Sequence, residues 1–260
     1  MTTVESNPDE EHLPDSPQSS RENGSAVRSS IAAQARSWRE PVLAATSAAF
    51  VGYVILCIVL ITGGLVTTHL LRQSLGAWDE HVNMWFSRHR DSVANRVTGD
   101  LTLMADSLGI TVVAVASAGF MLLRRRVRLA AILVVALATE LAAFFTVSYL
   151  VGRPRPQVPR VGSTPSTYSW PSGHVAATLV LYGGMAFIVA ASTNKPLARI
   201  AAGLVAAGLV VCVAMARVYR GDHHPSDTLA GVVLGAGAIW VAVRAIREWR
   251  AKMAAGDDSP

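Results

Sequence analysis

The sequence predicts an all-α, polytopic membrane protein with six transmembrane helices, and three observations predict it. The chain is 51% hydrophobic and only 16% charged, whereas soluble domains carry about a quarter charged residues. The apolar residues are clumped: Pro41 to Leu71 contains no Asp, Glu, Lys or Arg, and later stretches approach the roughly 20 residues that cross a bilayer. The basic residues fall in clusters that a six-span chain places on a single side of the membrane.

Taken in order, residues 1–40 are polar and rich in Ser, Pro, Glu and Asp. They lack a basic start followed by an apolar core, so they are expected to form a disordered cytoplasmic tail and not a signal peptide. A membrane domain is expected over 41–247, and a second short cytoplasmic tail over 248–260. The spans fall near 42–70, 101–123, 129–150, 174–193, 197–217 and 226–245. Arg36 and Arg39 precede the first, Arg124, Arg125, Arg126 and Arg128 join the second to the third, Lys195 and Arg199 join the fourth to the fifth, and Arg244, Arg247, Arg250 and Lys252 follow the sixth. The positive-inside rule then puts both termini in the cytoplasm and the connections after spans one, three and five on the outer side.

The net charge of +5 comes without a nucleic-acid motif or an aromatic-interleaved basic surface, so topology explains it and no nucleic-acid partner is expected. The two cysteines, Cys57 and Cys212, both lie in apolar stretches and form no disulfide framework. The first outward connection, Arg72 to Asp100, carries Trp78, Trp85 and Phe86. It reads as an amphipathic segment anchored at the interface, with lipid gating as the alternative. The glycine pairs Gly203/Gly208 and Gly231/Gly235 are expected to let helices approach closely.

Two outward connections are chemically dense. One reads Gly152-Arg153-Pro154-Arg155-Pro156 and then Trp170-Pro171-Ser172-Gly173-His174; the other reads Arg217-Val218-Tyr219-Arg220-Gly221-Asp222-His223-His224-Pro225-Ser226-Asp227. Arginine in a membrane helix is costly, so these clusters belong at helix ends or along an aqueous cavity. The forked donors of Arg153, Arg155 and Arg217 match phosphate oxygens. Ser172 can cap the fourth span, and Gly173 lets backbone approach an anion. One of His174, His223 and His224 can act as a nucleophile on phosphorus if one ring nitrogen stays unprotonated and a carboxylate holds the other. His223 and Asp227 are four apart and can meet across the start of the sixth span. His174 is then the candidate to protonate the leaving oxygen. The competing chemistry is a metal site built from His174, His223, His224 and Asp227, disfavoured by adjacent His-His spacing and by the surrounding arginines. Glu140, an acid in the middle of span three, is either functional or a buried partner for a neighbouring helix.

With these residues in place, the chain resembles the membrane-bound type 2 phosphatidic acid phosphatases, the PAP2 superfamily, and among them the bacterial lipid phosphatases. The family carries Lys-x6-Arg-Pro, Pro-Ser-Gly-His and Ser-Arg-x5-His-x3-Asp. The second motif is complete as Pro171-Ser172-Gly173-His174, and the third runs from Arg217 through His223 to Asp227 with Ala216 where Ser is usual. The first is partial. In the register of Arg155-Pro156, Ser148 stands where Lys is expected; in that of Arg153-Pro154, Thr146 does. The resemblance covers about residues 42–246 and implies a PAP2-type helical bundle. It also implies that His223 attacks phosphorus to form a phosphohistidine, that Asp227 orients it, and that His174 protonates the leaving group. Arg155, Ser172, Gly173 and Arg217, with Arg153 nearby, would stabilise the transferring phosphoryl group, with no metal and no cofactor. The implied substrate is a phosphomonoester or diphosphate lipid facing the outer side: a polyprenyl diphosphate, phosphatidylglycerophosphate or phosphatidic acid. Two other functions use the same residues: a transferase handing the phosphoryl group to a lipid or sugar, and a non-catalytic headgroup binder or transporter.

Overall fold

The structure of the chain is a computed structural model that describes residues 17–162 and 167–257. Among these residues every regular element is helical. Helix α1 (Pro17–Leu65) continues through two π-helical turns, Val66–Leu70 and Arg72–Gly76, into α2 (Ala77–Arg88). Next come α3 (Ser92–Met104), α4 (Ser107–Leu123) and α5 (Val127–Val151). The fourth span is assembled from α6 (Gly173–Thr178), a π-helical turn (Leu179–Gly183) and α7 (Gly184–Ser192), and is followed by α8 (Pro196–Tyr219) and α9 (Pro225–Asp257).

Five stretches are long and apolar enough to cross a membrane: Trp38–Leu70, Val127–Val151, Gly173–Ser192, Pro196–Tyr219 and Pro225–Ala255. Helices α3 and α4 qualify together but are bent by 44° at their junction. The bend has a local cause, since Asp106 between them takes an extended backbone with ψ 159°. Counted as one broken span, the pair completes the six. The expected second span at 101–123 is therefore only the lower part of a longer, kinked one. Helix α1 begins at Pro17, within the stretch 1–40 read as a polar tail, and residues 1–16 of that stretch lie outside the described residues. Pro41 sits inside α1.

The molecule is apolar on its outside. Only 28% of the most apolar window of the first span and 17% of that of α8 is buried, leaving Phe50, Val51, Ile55, Leu204 and Val205 exposed. Exposed apolar surface on this scale is where a multi-pass membrane protein meets lipid. The helices pack around α9, which runs beside α1, α5 and α6. Leu56, Leu60, Val147, Trp170, Ala176 and Leu234 make one buried cluster. Small residues set the closest approach: a Cβ added at Gly231 would stand 2.5 Å from the Ser172 carbonyl oxygen, and one at Gly235 2.8 Å from that of Ala176. This pair behaves as expected. Gly203 and Gly208 do not, because nothing stands within 4 Å of a Cβ at either position; both face outward.

Candidate active site

The two chemically dense connections meet at the ends of α5, α6, α8 and α9. Helix α5 stops at Gly152, which adopts φ 63° and donates its N–H to the Ser148 carbonyl at 3.0 Å. A left-handed residue at that position is where glycine costs least. Helix α8 ends at Tyr219, and Gly221 at φ 77° reverses the chain so that Asp222, His223 and His224 lie across the bundle before Pro225 starts α9. The Ser172 N–H donates to the Asp227 carbonyl at 3.0 Å, which ties the start of α6 to the first turn of α9.

A cavity of about 540 Å³ opens between these ends, lined by Arg155, Gly173, His174, Arg217 and His223, with Glu140, Leu141 and Phe144 of α5 along its inner wall. Five of the eight expected site residues thus share one space. His223 is buried, and its Nδ1 lies 2.7 Å from the Ser169 carbonyl oxygen. A carbonyl only accepts, so Nδ1 carries the hydrogen and Nε2 keeps its lone pair. Burial, aided by the charges of Arg217 and Arg155, holds the His223 pKa below the ordinary histidine value, which outweighs the upward pull of Asp227. His174 Nε2 stands 3.9 Å from an Asp106 carboxylate oxygen, at the break between α3 and α4.

The arginines divide. Arg217 pairs with Asp222 at 3.2 Å, and its Nε is buried without a partner among the described residues. Arg155 donates to the carbonyls of Asp222, Thr167 and Tyr168 at 2.6 to 3.1 Å, stitching three loop segments together, and burial pushes its pKa down to about 10. Arg153, expected to bind phosphate, is turned away from the cavity. It donates to Asp79 at 2.7 Å, Ser226 at 2.7 Å and Asp227 at 2.6 Å, fully within the protein. The reason is electrostatic: a buried guanidinium is stable only with its charge matched, and two buried carboxylates match it.

Asp227 also sits differently from expectation. It is 3.8 Å from His223 Nδ1, too far for a hydrogen bond. Its oxygens accept from the Ser169 hydroxyl, from the His224 N–H at 2.7 Å, and from Arg153, with His224 Nδ1 at 3.1 Å. Asp227 therefore reaches His223 through Ser169, whose carbonyl holds the ring. Ser172 is buried beside this network, and its Oγ has no partner among the described residues. The four residues weighed as a metal set are split, with His174 and His223 on the cavity and His224 and Asp227 behind it; among the described residues no three His, Cys, Asp or Glu gather closely enough to hold an ion.

Reading the sequence missed the contribution of α2. Trp78 and Trp85 are exposed on one face of this helix, as an interfacial segment requires, but Asp79 and Asn83 on the other are completely buried. Asp79 accepts from the Ser226 N–H at 3.0 Å and from Arg153. Asn83 Nδ2 donates to the carbonyls of His223 at 3.1 Å and Val218 at 3.3 Å. Glu80 lies 3.1 Å from His224 Nε2. Burial alone lowers the His224 pKa, but bonding to Asp227, supported by Glu80, raises it above the ordinary value. The signal was present as Asp79 and Asn83 four apart, opposite the tryptophans.

Residues 128–251, which contain Arg155, Gly173, His174, Arg217 and His223 of the cavity, match the family model of the PAP2 superfamily. This part of the chain is similar to the PAP2 superfamily. Its fold is similar to the crystal structure of a transmembrane PAP2 type phosphatidylglycerolphosphate phosphatase from Bacillus subtilis, with a TM-score of 0.61, 20% identity, and coverage of 78% of this chain and 94% of that one. It is also 37% identical over 95 residues to decaprenylphosphoryl-5-phosphoribose phosphatase in two strains of Mycobacterium tuberculosis, covering 35% of this chain. The chain spans about half of that relative's length, 47%.

Proposed function

We propose that this protein is an integral membrane phosphatase that hydrolyses a phosphomonoester or diphosphate on a lipid whose headgroup enters from the outer side. The observation that carries the proposal is the pairing of His223 and His174 on one cavity with Arg155 and Arg217, with the His223 tautomer set by Ser169. Nε2 of His223 attacks phosphorus; a P–N bond forms as the P–O bond to the leaving oxygen breaks, and His174 delivers a proton to that oxygen. Water then attacks phosphorus and gives a proton to His174, the P–N bond breaks, and inorganic phosphate leaves. The charge on the equatorial oxygens is met by Arg217 and Arg155 and by the Ser172 hydroxyl, which is buried without a partner among the described residues. Fixed donors in a site screened from water are the strongest contribution available to such a reaction.

Asp227 acts as a positioning residue, through Ser169, and adds negative charge near the His223 ring as it becomes cationic. Arg153 belongs to the same support. The first motif lacks its lysine in either register. The positions in question, Ser148 or Thr146, lie on α5, and Ser148 is fully buried with its Oγ unpartnered among the described residues. Two relatives, a phosphatidylglycerolphosphate phosphatase and a decaprenylphosphoryl-5-phosphoribose phosphatase, are named for phosphomonoesters carried on lipids, and we assign this chain the same substrate class. The test is phosphate release by the purified protein in detergent with EDTA, offered phosphatidylglycerophosphate, a polyprenyl diphosphate and phosphatidic acid. Release that persists in EDTA and disappears in His223→Ala is the expected result; phosphate that appears only on an added lipid or sugar acceptor would replace hydrolysis by transfer.

A further inference from the structure

Glu140 is a carboxylic acid within the α5 span, only 5% exposed, and it lines the cavity that holds His174, His223, Arg155 and Arg217. Among the described residues it has no hydrogen-bond or ion-pair partner. A buried polar group without a partner costs roughly 1 to 3 kcal/mol, and more when charged. Neighbouring helices offer Glu140 nothing, which removes the reading of it as a structural partner and leaves a group aimed into a cavity.

Its depth can be stated. The Phe144 ring would lie 3.1 Å from a Cβ at Gly173, which puts Phe144 level with the start of α6 and with His174. Glu140 is one helical turn before Phe144 on the same face of α5, hence about 5 to 6 Å further into the membrane. Ile110, Ala114, Leu141 and Phe145 complete the apolar walls around it. A lipid with its scissile phosphate at His223 therefore presents to Glu140 the atoms only a few bonds from phosphorus. A bare isoprenoid or acyl chain offers no polar atom there. A second phosphate would bring its charge among apolar walls, where Glu140 offers no positive charge to offset it. A hydroxyl satisfies the carboxyl in either protonation state, because it both donates and accepts.

We infer that Glu140 is a specificity-determining residue that hydrogen-bonds a hydroxyl of the polyol or sugar linking the scissile phosphate to its lipid. This rests on the phosphatase reading above and narrows it to lipids with a phosphorylated, hydroxyl-bearing spacer, such as glycerol or a pentose. It also places discrimination against hydroxyl-free phosphates inside the membrane span and away from the reacting groups.

The test compares wild type, Glu140→Gln and Glu140→Leu on two substrate classes: hydroxyl-bearing (phosphatidylglycerophosphate and decaprenylphosphoryl-5-phosphoribose) and hydroxyl-free (phosphatidic acid and undecaprenyl diphosphate). Wild type is expected to prefer the first class. Glu140→Leu lowers kcat/KM on it by about tenfold, the loss of one good hydrogen bond, and leaves or raises activity on the second class. Glu140→Gln retains activity on the first class to within about threefold, since an amide also serves a hydroxyl. The better of glycerol and pentose identifies the spacer. Equal losses on both classes, no loss on either, or a wild-type preference for hydroxyl-free lipids would overturn the assignment while leaving the phosphatase intact. A wild type inactive on all four would remove the phosphatase reading itself.

Discussion

Asn83 Nδ2 stands 3.1 Å from the carbonyl oxygen of His223, so a helix that carries exposed interfacial tryptophans also holds the backbone of the proposed nucleophile. One amphipathic helix serves two surfaces, its tryptophans facing out and its Asp79 and Asn83 facing the reacting loop. Replacing Asn83 by Leu keeps most of the volume and removes both donated bonds. The Val218 carbonyl keeps the Gly221 N–H, but the His223 carbonyl loses its donor, and a buried carbonyl without one costs about 1 to 3 kcal/mol, so the thermal midpoint should fall. Because the bond acts on the nucleophile and not on the lipid, kcat should drop by about tenfold with little change in KM. A purely structural role would lower stability and spare kcat per folded molecule.

Arg153 and Arg155 are two residues apart but do different work. Arg153→Met strips the guanidinium from between Asp79 and Asp227 and leaves two buried carboxylates uncompensated, a loss on the order of 3 to 5 kcal/mol. Adding Asp79→Asn to that variant should recover part of the stability. Arg155→Met removes a charge from the cavity and the bonds to three loop carbonyls; it should lower turnover and cost less stability than Arg153→Met, because it leaves no buried carboxylate unpaired. Thermal denaturation of the four proteins in detergent decides it; equal destabilisation by the two arginine changes would contradict the division.

The adjacent histidines should titrate on opposite sides of the ordinary value. His223 is held below it by burial, and His224 is raised above it by Asp227 and Glu80. The signs follow from linkage. The unfolded chain takes up a proton at position 223 before the native state does, so this residue costs stability as pH falls below about 6.5. His224 binds its proton more tightly when folded, so its contribution is present below about 6.5 and is lost as pH rises through its raised native value. Side-chain nitrogen NMR should show a neutral, Nδ1-protonated ring at 223 and a cationic ring at 224 in the same sample near pH 6.5.

Small-residue positions give a further contrast. Gly231→Ala would place a methyl 2.5 Å from the Ser172 carbonyl oxygen and 3.0 Å from Val175 Cβ, forcing α6 and α9 apart. Overpacking of this kind costs about 1 to 3 kcal/mol and shifts His174 at the start of α6. Gly203→Ala meets nothing and should be neutral or slightly stabilising, by up to about 1 kcal/mol of helix propensity. Thermal midpoints of the two variants provide the comparison.

Much of this was legible beforehand because membrane spans follow from local composition. Apolar runs and flanking arginines place α1, α5, α8 and α9 without any tertiary information. The break at Asp106 was not legible, because one extended residue between two apolar stretches leaves no mark on hydropathy. At the site, the spacing of Pro171 to His174 and of Arg217 to Asp227 marked the residues that line or support the cavity. What spacing does not encode is which way a side chain turns. Arg153 and Arg155 each precede a proline, and it is the buried Asp79 and Asp227, each 74 residues away along the chain, that turn Arg153 inward. The tie from Asp227 to His223 through Ser169 was hidden likewise, since Ser169 falls outside both motifs.

The central claim is covalent catalysis by His223, and it is tested most directly by rapid acid-free quenching of the enzyme with a lipid labelled in its scissile phosphate. The account predicts an acid-labile, alkali-stable phosphoenzyme on His223 that accumulates when His174 is replaced, with a leaving group good enough not to need its proton. It is absent from His223→Ala. Label that maps to another residue, or phosphate release by His223→Ala at more than a few per cent of the wild-type rate, would contradict it.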